Sequence, residues 1–486
     1  MIRYLESKPQ YTLLTGATGL VGRYLLKDLL AAGVRLAVIV RDTKRQLAAD
    51  RISQICDFWE KELGHELPRP VCLTGDVGQP GLGLSVADLA WVETHCDTCF
   101  HNAAILRFDS APRHQEPWLT NLDGTQNVVE FCEATGIPNF HYVSTAYVCG
   151  DRSGVVMEGE LRANQGFRND YEKSKYFAEK LVRDADCFQS TTIYRPAVIT
   201  ADAKTGYTNT YHGLHLYLRL MALLIPEVEP DENGVRHTEI RLPMTGEEQR
   251  NVVTVDWVSE VMTKLFLNSD AHGKTFHIAP TKKLTPKLVI ESCYNYFNST
   301  GVQYVGPEDL NNPIGKFERD FLANVGVYTS YDKVDPIFDT TNLKKFAGGI
   351  SCPEIDEPMI WRFLKFGEND KWGKRKKRFH CSDFQVEKHL TLLKDFGKTM
   401  KSYIDKVDFE LGFDVVGDGG GQWYYSSRSN QIHRGLPNDN DQPVVRIKAS
   451  SLQKIVSQKK TGSRCDLTDS SPIGLLKSFV NADVYN

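Results

Sequence analysis

The stretch TGATGLVG, Thr15 to Gly22, constrains this chain more than any other. It stands between an apolar run, YTLLTG, and a helix pattern, LVGRYLLKDLLAAG, that closes on Gly33. Gly16, Gly19 and Gly22 recur every third residue. Such spacing permits a tight turn, close approach of backbone to a pyrophosphate, and close seating of the helix on the sheet. The helix amino terminus then turns unpaired N–H groups toward the phosphates. A second apolar run, VRLAVIV, completes a βαβ unit.

The alternation continues through PVCLTGDV, SVADLAWVETH, TCFHNAA, a helix pattern from about Pro117 to Gly136, NFHYVSTAYV, a helix around Tyr171, and STTIYRPAVI. Near-continuous apolar strands separated by helices imply a parallel sheet covered on both faces, an α/β fold of the Rossmann-type doubly wound class. At 486 residues the chain is too long for one core and implies two or three domains. A net charge of -4 argues against a protein that coats nucleic acid. The longest apolar stretch, LHLYLRLMALLIP, has 13 residues and contains Arg219, short of a bilayer span. The amino terminus has no signal-peptide pattern, so a cytoplasmic location is expected. Of 11 cysteines only Cys96 and Cys99 form a C-x-x-C pair, and its strand-like setting suits buried thiols better than a metal site; no metal is expected.

The end of the second apolar run bears on cofactor choice. A carboxylate there suits the 2′-hydroxyl of NAD, an arginine the 2′-phosphate of NADP. The chain reads AVIVRDTKR, with Arg41 first and Lys44 and Arg45 behind it, which favours NADPH; Asp42 leaves NAD open if the register shifts by one. Further along, Thr145 falls at the carboxyl edge of the sheet, where open α/β sheets bind ligands. Tyr171 and Lys175, four apart in DYEKSKYFAEK, share one helix face. A hydroxyl, a phenol and an ammonium converging beside a nicotinamide make a proton-transfer site, the lysine lowering the phenol's pKa.

TGATGLVG, GDV, HNAA, NLDGTQNV, VSTAYVCG, YEKSK and YRPAVI occur in the order and spacing of the extended short-chain dehydrogenase/reductases. TGDVGQPGLGLS, RPAVITADAKTGY and LPMTGEEQRNVVTVDWV resemble segments of the thioester reductase and fatty acyl reductase branch, over roughly residues 10 to 280. The resemblance implies that Thr145 and Tyr171 act on the substrate oxygen, Tyr171 as acid, while Lys175 holds the ribose; Ser144 is then structural. It implies phosphate contacts from Gly16, Thr18, Gly19, Leu20, Val21 and Gly22, adenine-side contacts from Asp76 and Val77, and ribose contacts from Ala103 and Ala104. Pro196, Ala197 and Val198 would wall the nicotinamide, and Asn121 would brace the active-site strand end or simply bend its helix.

The implied activity is NADPH-dependent reduction of an acyl thioester, carried by coenzyme A or an acyl-carrier protein, to an aldehyde, with the further step to an alcohol left open. Two rivals share these residues. A sugar-nucleotide epimerase or dehydratase would retain NAD and place an acidic residue where Arg41 stands. A non-catalytic cofactor-binding protein would not need the intact Thr145, Tyr171 and Lys175 set.

The expected domains are 1–280, a nucleotide-binding domain with interleaved substrate-binding segments, and 281–370, the rest of a smaller substrate lobe. A basic linker at 371–383 includes KWGKRKKRF, whose other readings are nucleic acid or contact with an acidic carrier or coenzyme A phosphates. Residues 384–486 form a small C-terminal α+β domain. There DFQVEKHLTLLKDFGKTMKSYIDKV precedes GFDVVGDGGGQWYY, whose glycines read as a hairpin or bulge. This segment resembles sterol-carrier-like lipid-binding domains, and a structural cap on the reductase is the alternative.

Overall fold

The computed structural model describes residues 11–44, 46–108, 110–305, 315–325, 335–374, 385–401, 408–416, 420–438, 442–449, 452–453 and 484–485. Seven strands, β1 (Tyr11–Thr15), β2 (Leu36–Val40), β3 (Val71–Thr74), β4 (Cys96–His101), β5 (Asn139–Val143), β7 (Ser190–Pro196) and β11 (Thr275–Ile278), form one sheet. Their order is β11-β7-β5-β4-β1-β2-β3, and every pairing is parallel. The order reverses direction at β1 and β4, so the crevice beyond their carboxyl ends is the switch point where such sheets bind ligands.

Burial on both faces explains the apolar runs. Helices α1 (Leu20–Ala31), α2 (Ala48–Leu63) and α7 (Val255–Leu267) cover one face through Leu25, Leu29, Ile52, Trp59 and Val261. Helices α3 (Val86–His95), α4 (Gly124–Thr135) and α5 (Asp170–Asp184) cover the other through Val92, Val128, Cys132, Ala178 and Val182. Cys96 and Cys99 are buried in β4, and burial raises the Cys96 thiol well above its ordinary value. The expected Pro117–Gly136 helix is a π-helical turn, Leu119–Asp123, running into α4, which ends where Gly136 takes a φ of 68°.

Beside the sheet lies a lobe of α6 (Leu214–Leu224), α8 (Pro286–Tyr296), α9 (Lys316–Val325) and α11 (Glu357–Asn369). Strands β9 (Arg236–Leu242) and β12 (Ser299–Tyr304) pair within it, and its core joins Leu218, Met221, Ile240, Ile290, Phe321 and Phe363. Two further parallel pairs, β8 (Val198–Thr200) with β10 (Val252–Thr254) and β6 (Val155–Val156) with β13 (Ile337–Phe338), stand at the carboxyl side of the sheet. After β13 the chain returns to the nucleotide-domain core through α10 (Thr341–Ala347), burying Phe338, Leu343 and Ala347. The Glu158 carboxyl pins that return by accepting from the amides of His277, Asn342 and Leu343.

The carboxyl-terminal part is a mixed sheet of β14 (Glu410–Val416), β15 (Gly421–Ser426), β16 (Gln431–Arg434), β17 (Val444–Lys448) and β18 (Val484–Tyr485), packed by α12 (Leu390–Lys401). β14 and β15 pair antiparallel on either side of the glycine run, as a hairpin requires, although Gly419 lies outside the described residues. Gly397 lets α12 lie on the Tyr425 ring, because a Cβ there would stand 2.3 Å from a ring carbon. Phe409, Phe413, Trp423, Tyr425 and Val445 fill the space between helix and sheet. Of the basic run, Arg375 to Phe379 lie outside the described residues.

This sheet docks at the amino-terminal ends of the Rossmann strands. The amide of Leu436 donates to the Tyr11 phenol at 2.8 Å, that phenol donates to Gln422, and the Trp91 indole donates to the Arg434 carbonyl at 2.7 Å. Arg35 reaches the Pro437 carbonyl. Among the described residues no helix is long and apolar enough to cross a membrane.

Candidate active site

The nucleotide loop is built by exclusion of side chains. Gly16 has a φ of 73°, and a Cβ on it would lie 2.7 Å from the Ala103 amide. A Cβ on Gly22 would lie 2.0 Å from the Gly16 carbonyl oxygen. Gly19 caps α1 without a side-chain bond, and the first turn carries no acidic residue, so the early N–H groups of α1 and its positive dipole end are directed at the cleft. Thr18, Gly19, Leu20 and Val21 line that cleft beside Ala103 and Ala104. These residues fit a dinucleotide's pyrophosphate and ribose.

At the end of β2 the Arg41 side chain is 63% exposed and sits 3.5 Å from Asp76. The Asp42 carboxylate accepts from the Ala48 amide at 2.7 Å, at the start of α2. Arg45 lies outside the described residues. Sequence reasoning missed Arg51, which projects from α2, donates to the Arg41 carbonyl at 2.7 Å and the Thr18 hydroxyl at 3.1 Å, and lines the same cleft. Burial, then the neighbouring Arg41 and Arg23 charges, lowers its pKa. Cations crowded this way favour an anionic ligand between them.

Thr145 follows β5 and caps the 3-10 turn Ala146–Cys149, its hydroxyl accepting from the Tyr147 amide at 3.3 Å. Tyr171 lines the same cavity, and its phenol is pushed up to about 12, first by burial, with Thr145 working against the rise. Lys175 is itself desolvated, its ammonium pushed down to about 7 by burial and partly restored by Glu179. Ser144 donates to Glu179 at 2.6 Å beside the buried Arg195–Glu179 pair, a structural position. Asn121 accepts from the Ile105 amide at 2.8 Å and donates to the Ile105 carbonyl and to Ser174, joining the loop after β4 to α5.

Apart from Gly22, which sits behind the loop, every residue expected to touch nucleotide or substrate lines one cavity of about 680 Å³. It runs from the glycine loop and Asp76 and Val77, past Thr145, Tyr171, Lys175 and the Pro196–Val198 wall, into the lobe. There Met221, Leu242, Val289, Ile290, Cys293 and Phe321 make its wall apolar. No spacing in the sequence marked these residues, which come from four separate elements.

Sheet order, glycine loop and the Thr145–Tyr171–Lys175 cluster define an NAD(P)-binding extended short-chain dehydrogenase/reductase. The sequence profile of the NAD-binding family described as male sterility protein matches residues 14–262, and the chain belongs to that family. Its relatives include the non-canonical nonribosomal peptide synthetase cpsA of Aspergillus campestris, 26% identical over 72% of this chain and 35% of that protein. The isonitrile lipopeptide synthase of Streptomyces coeruleorubidus is 30% identical over 73% of this chain and 24% of its own length. The chain thus spans about a third or less of these relatives. Among solved structures, the terminal R domain from the myxalamid PKS-NRPS pathway matches with a TM-score of 0.60 and 25% identity, over 74% of this chain and 91% of that one. The reductase (R) domain of a nonribosomal peptide synthetase from Mycobacterium tuberculosis matches in fold, with a TM-score of 0.56, 19% identity, and 76% and 93% coverage.

Proposed function

We propose that this chain is an NADPH-dependent reductase of acyl thioesters delivered by coenzyme A or a carrier protein, giving an aldehyde and, on a second turnover, an alcohol. One observation carries the reading. Thr145 and Tyr171 line a single cavity that is a nucleotide cleft at one end and apolar at the other. The similarity to the terminal R domain of a synthetase pathway supports it.

The glycine loop, Asp76, Ala103, Ala104 and Lys175 would hold the dinucleotide, with Arg41 and Arg51 at its 2′-phosphate. When bound, it supplies the hydride. Thr145 and Tyr171 hydrogen-bond the thioester carbonyl oxygen and stabilise the charge that develops there. The Tyr171 phenol supplies the proton to that oxygen, and the thiol leaves as the tetrahedral centre collapses. The apolar end of the cavity takes the acyl chain and excludes water.

NADPH consumption against a panel of acyl thioesters and nucleotide sugars tests the reading. Oxidation of NADPH with thioesters alone is expected; turnover of nucleotide sugars without net NADPH loss would establish an epimerase instead.

The docking of the carboxyl-terminal sheet at the strands' amino ends, away from Thr145 and Tyr171, supports a cap. Removal of everything after Lys374 is therefore expected to expose apolar surface around Tyr11 and Trp91, lower the melting temperature and reduce rates on short and long acyl thioesters alike. A rise in KM confined to long chains would show a lipid module, each buried methylene contributing about 0.8 kcal/mol.

A further inference from the structure

Lys175 crosses from α5 to the end of β5 and is 1% exposed. Its ammonium donates to the Val143 carbonyl and to the Tyr142 phenol, both at 2.7 Å, and stands 4.2 Å from the Tyr142 ring centroid. Tyr142 is fully buried and shares the helix-facing side of β5 with Phe140. Burial raises its phenol well above the ordinary value, with Thr125 working against the rise.

Donor counting fixes the direction of each bond beyond it. Thr125 gives its one hydroxyl hydrogen to the Asn121 carbonyl at 2.7 Å. Its oxygen therefore accepts from His101 Nε2 at 3.0 Å and keeps a second lone pair for the Tyr142 phenol. With Nε2 protonated, His101 Nδ1 accepts from the Thr15 hydroxyl at 2.7 Å. The Thr15 oxygen in turn accepts from the amides of Asn102 and Ala103, at 3.2 and 3.1 Å. Burial pushes His101 down to about 3, in keeping with this neutral tautomer. The hydrogens of Thr125, His101 and Thr15 are committed along this chain. The arrangement holds geometry; it offers no vacant acceptor along which a proton could pass.

We infer that Tyr142 is the positioning residue of Lys175: its phenol, oriented by Thr125 and backed by His101 and Thr15, fixes the ammonium at the end of β5 beside Tyr171. The same bonds tie Lys175 to the Ala103 backbone, making the two sides of the ribose site one unit. This inference rests on the reading of the chain as a nicotinamide-nucleotide reductase.

The charged and titratable groups facing Lys175 are Tyr171 and Glu179 on its own helix, Tyr142 on β5 and His101 on β4, with Glu179 paired to Arg195 on β7 and to Arg183. An acceptor on the charged form favours that form. Deleting the Tyr142 oxygen therefore lets the ammonium lose its proton at lower pH.

The test is NADP⁺ affinity, read by calorimetry from about pH 6 to about pH 9, spanning the Lys175 transition. In the wild-type chain affinity is expected to fall as the ammonium titrates. In Tyr142→Phe, which keeps the ring, that fall is expected about one pH unit lower, the two curves meeting at the acid end. Thr125→Ser should leave the curve in place, whereas Thr125→Val should move it the same way, without adding to Tyr142→Phe in the double variant. Superimposable curves with only a lower melting temperature would reduce Tyr142 to a packing residue and overturn the inference. If Tyr142→Phe does not fold, Thr125→Val decides, and an unmoved curve overturns it. A wild-type chain that binds no nicotinamide nucleotide at any pH would overturn the reductase reading as well; one that binds with variants unshifted would overturn this inference alone.

Discussion

Tyr171→Phe is expected to lower turnover by about 100-fold or more while leaving NADPH affinity within about twofold. The ring keeps its edge-on contact with Phe108, at 5.9 Å between centroids, so the substitution removes one oxygen and little packing. Burial keeps that oxygen protonated through neutral pH, with a pKa pushed up to about 12. It is thus a donor when the carbonyl oxygen needs one. Lys175→Ala should behave differently, harming cofactor binding and turnover together, because the ammonium would serve the ribose and the phenol. Since burial pushes Lys175 down to about 7, activity is also expected to decline above neutrality as the ammonium deprotonates, and to hold below it. Unchanged turnover in Tyr171→Phe, measured at saturating NADPH and thioester, would take the phenol out of the mechanism.

The second large effect concerns cofactor choice. Arg41→Ala combined with Arg51→Ala is expected to weaken NADPH by about 100-fold and NADH by no more than about threefold, since two charge-assisted contacts to a 2′-phosphate are lost. Arg41 alone should give a smaller loss, because Arg51 remains on the same side of the cleft, anchored to the Arg41 carbonyl and Thr18. Equal losses for both nucleotides, measured by fluorescence titration, would make the arginines structural only.

Local chemistry made the first half of the fold legible. Glycine spacing, apolar strand runs and helix periodicity are written over short distances, and the structure places Gly16, Thr145, Tyr171 and Lys175 where those patterns put them. The unread features depend on contacts distant in sequence. Arg51 is one residue on an amphipathic helix, and only the fold turns it toward Thr18. Tyr142 reads as an ordinary strand aromatic until Lys175, 33 residues on, is seen to end at its oxygen. The cavity wall draws Met221, Leu242 and Ile290 from three elements that each look like plain core. The carboxyl-terminal hairpin was legible from GDGGGQWYY, but its seat on Tyr11 joins residues more than 400 positions apart, beyond any local pattern.

The central claim is that the carbonyl carbon reduced here carries a sulfur leaving group. The most direct measurement is a product balance on an acyl-coenzyme A, following NADPH oxidation by absorbance, released thiol by a chromogenic disulfide, and aldehyde by hydrazone trapping in the same reaction. With the aldehyde trapped, one thiol and one aldehyde are expected for each NADPH consumed, and no thiol without NADPH. Thiol release independent of NADPH, or NADPH oxidation with the thioester intact, would contradict it.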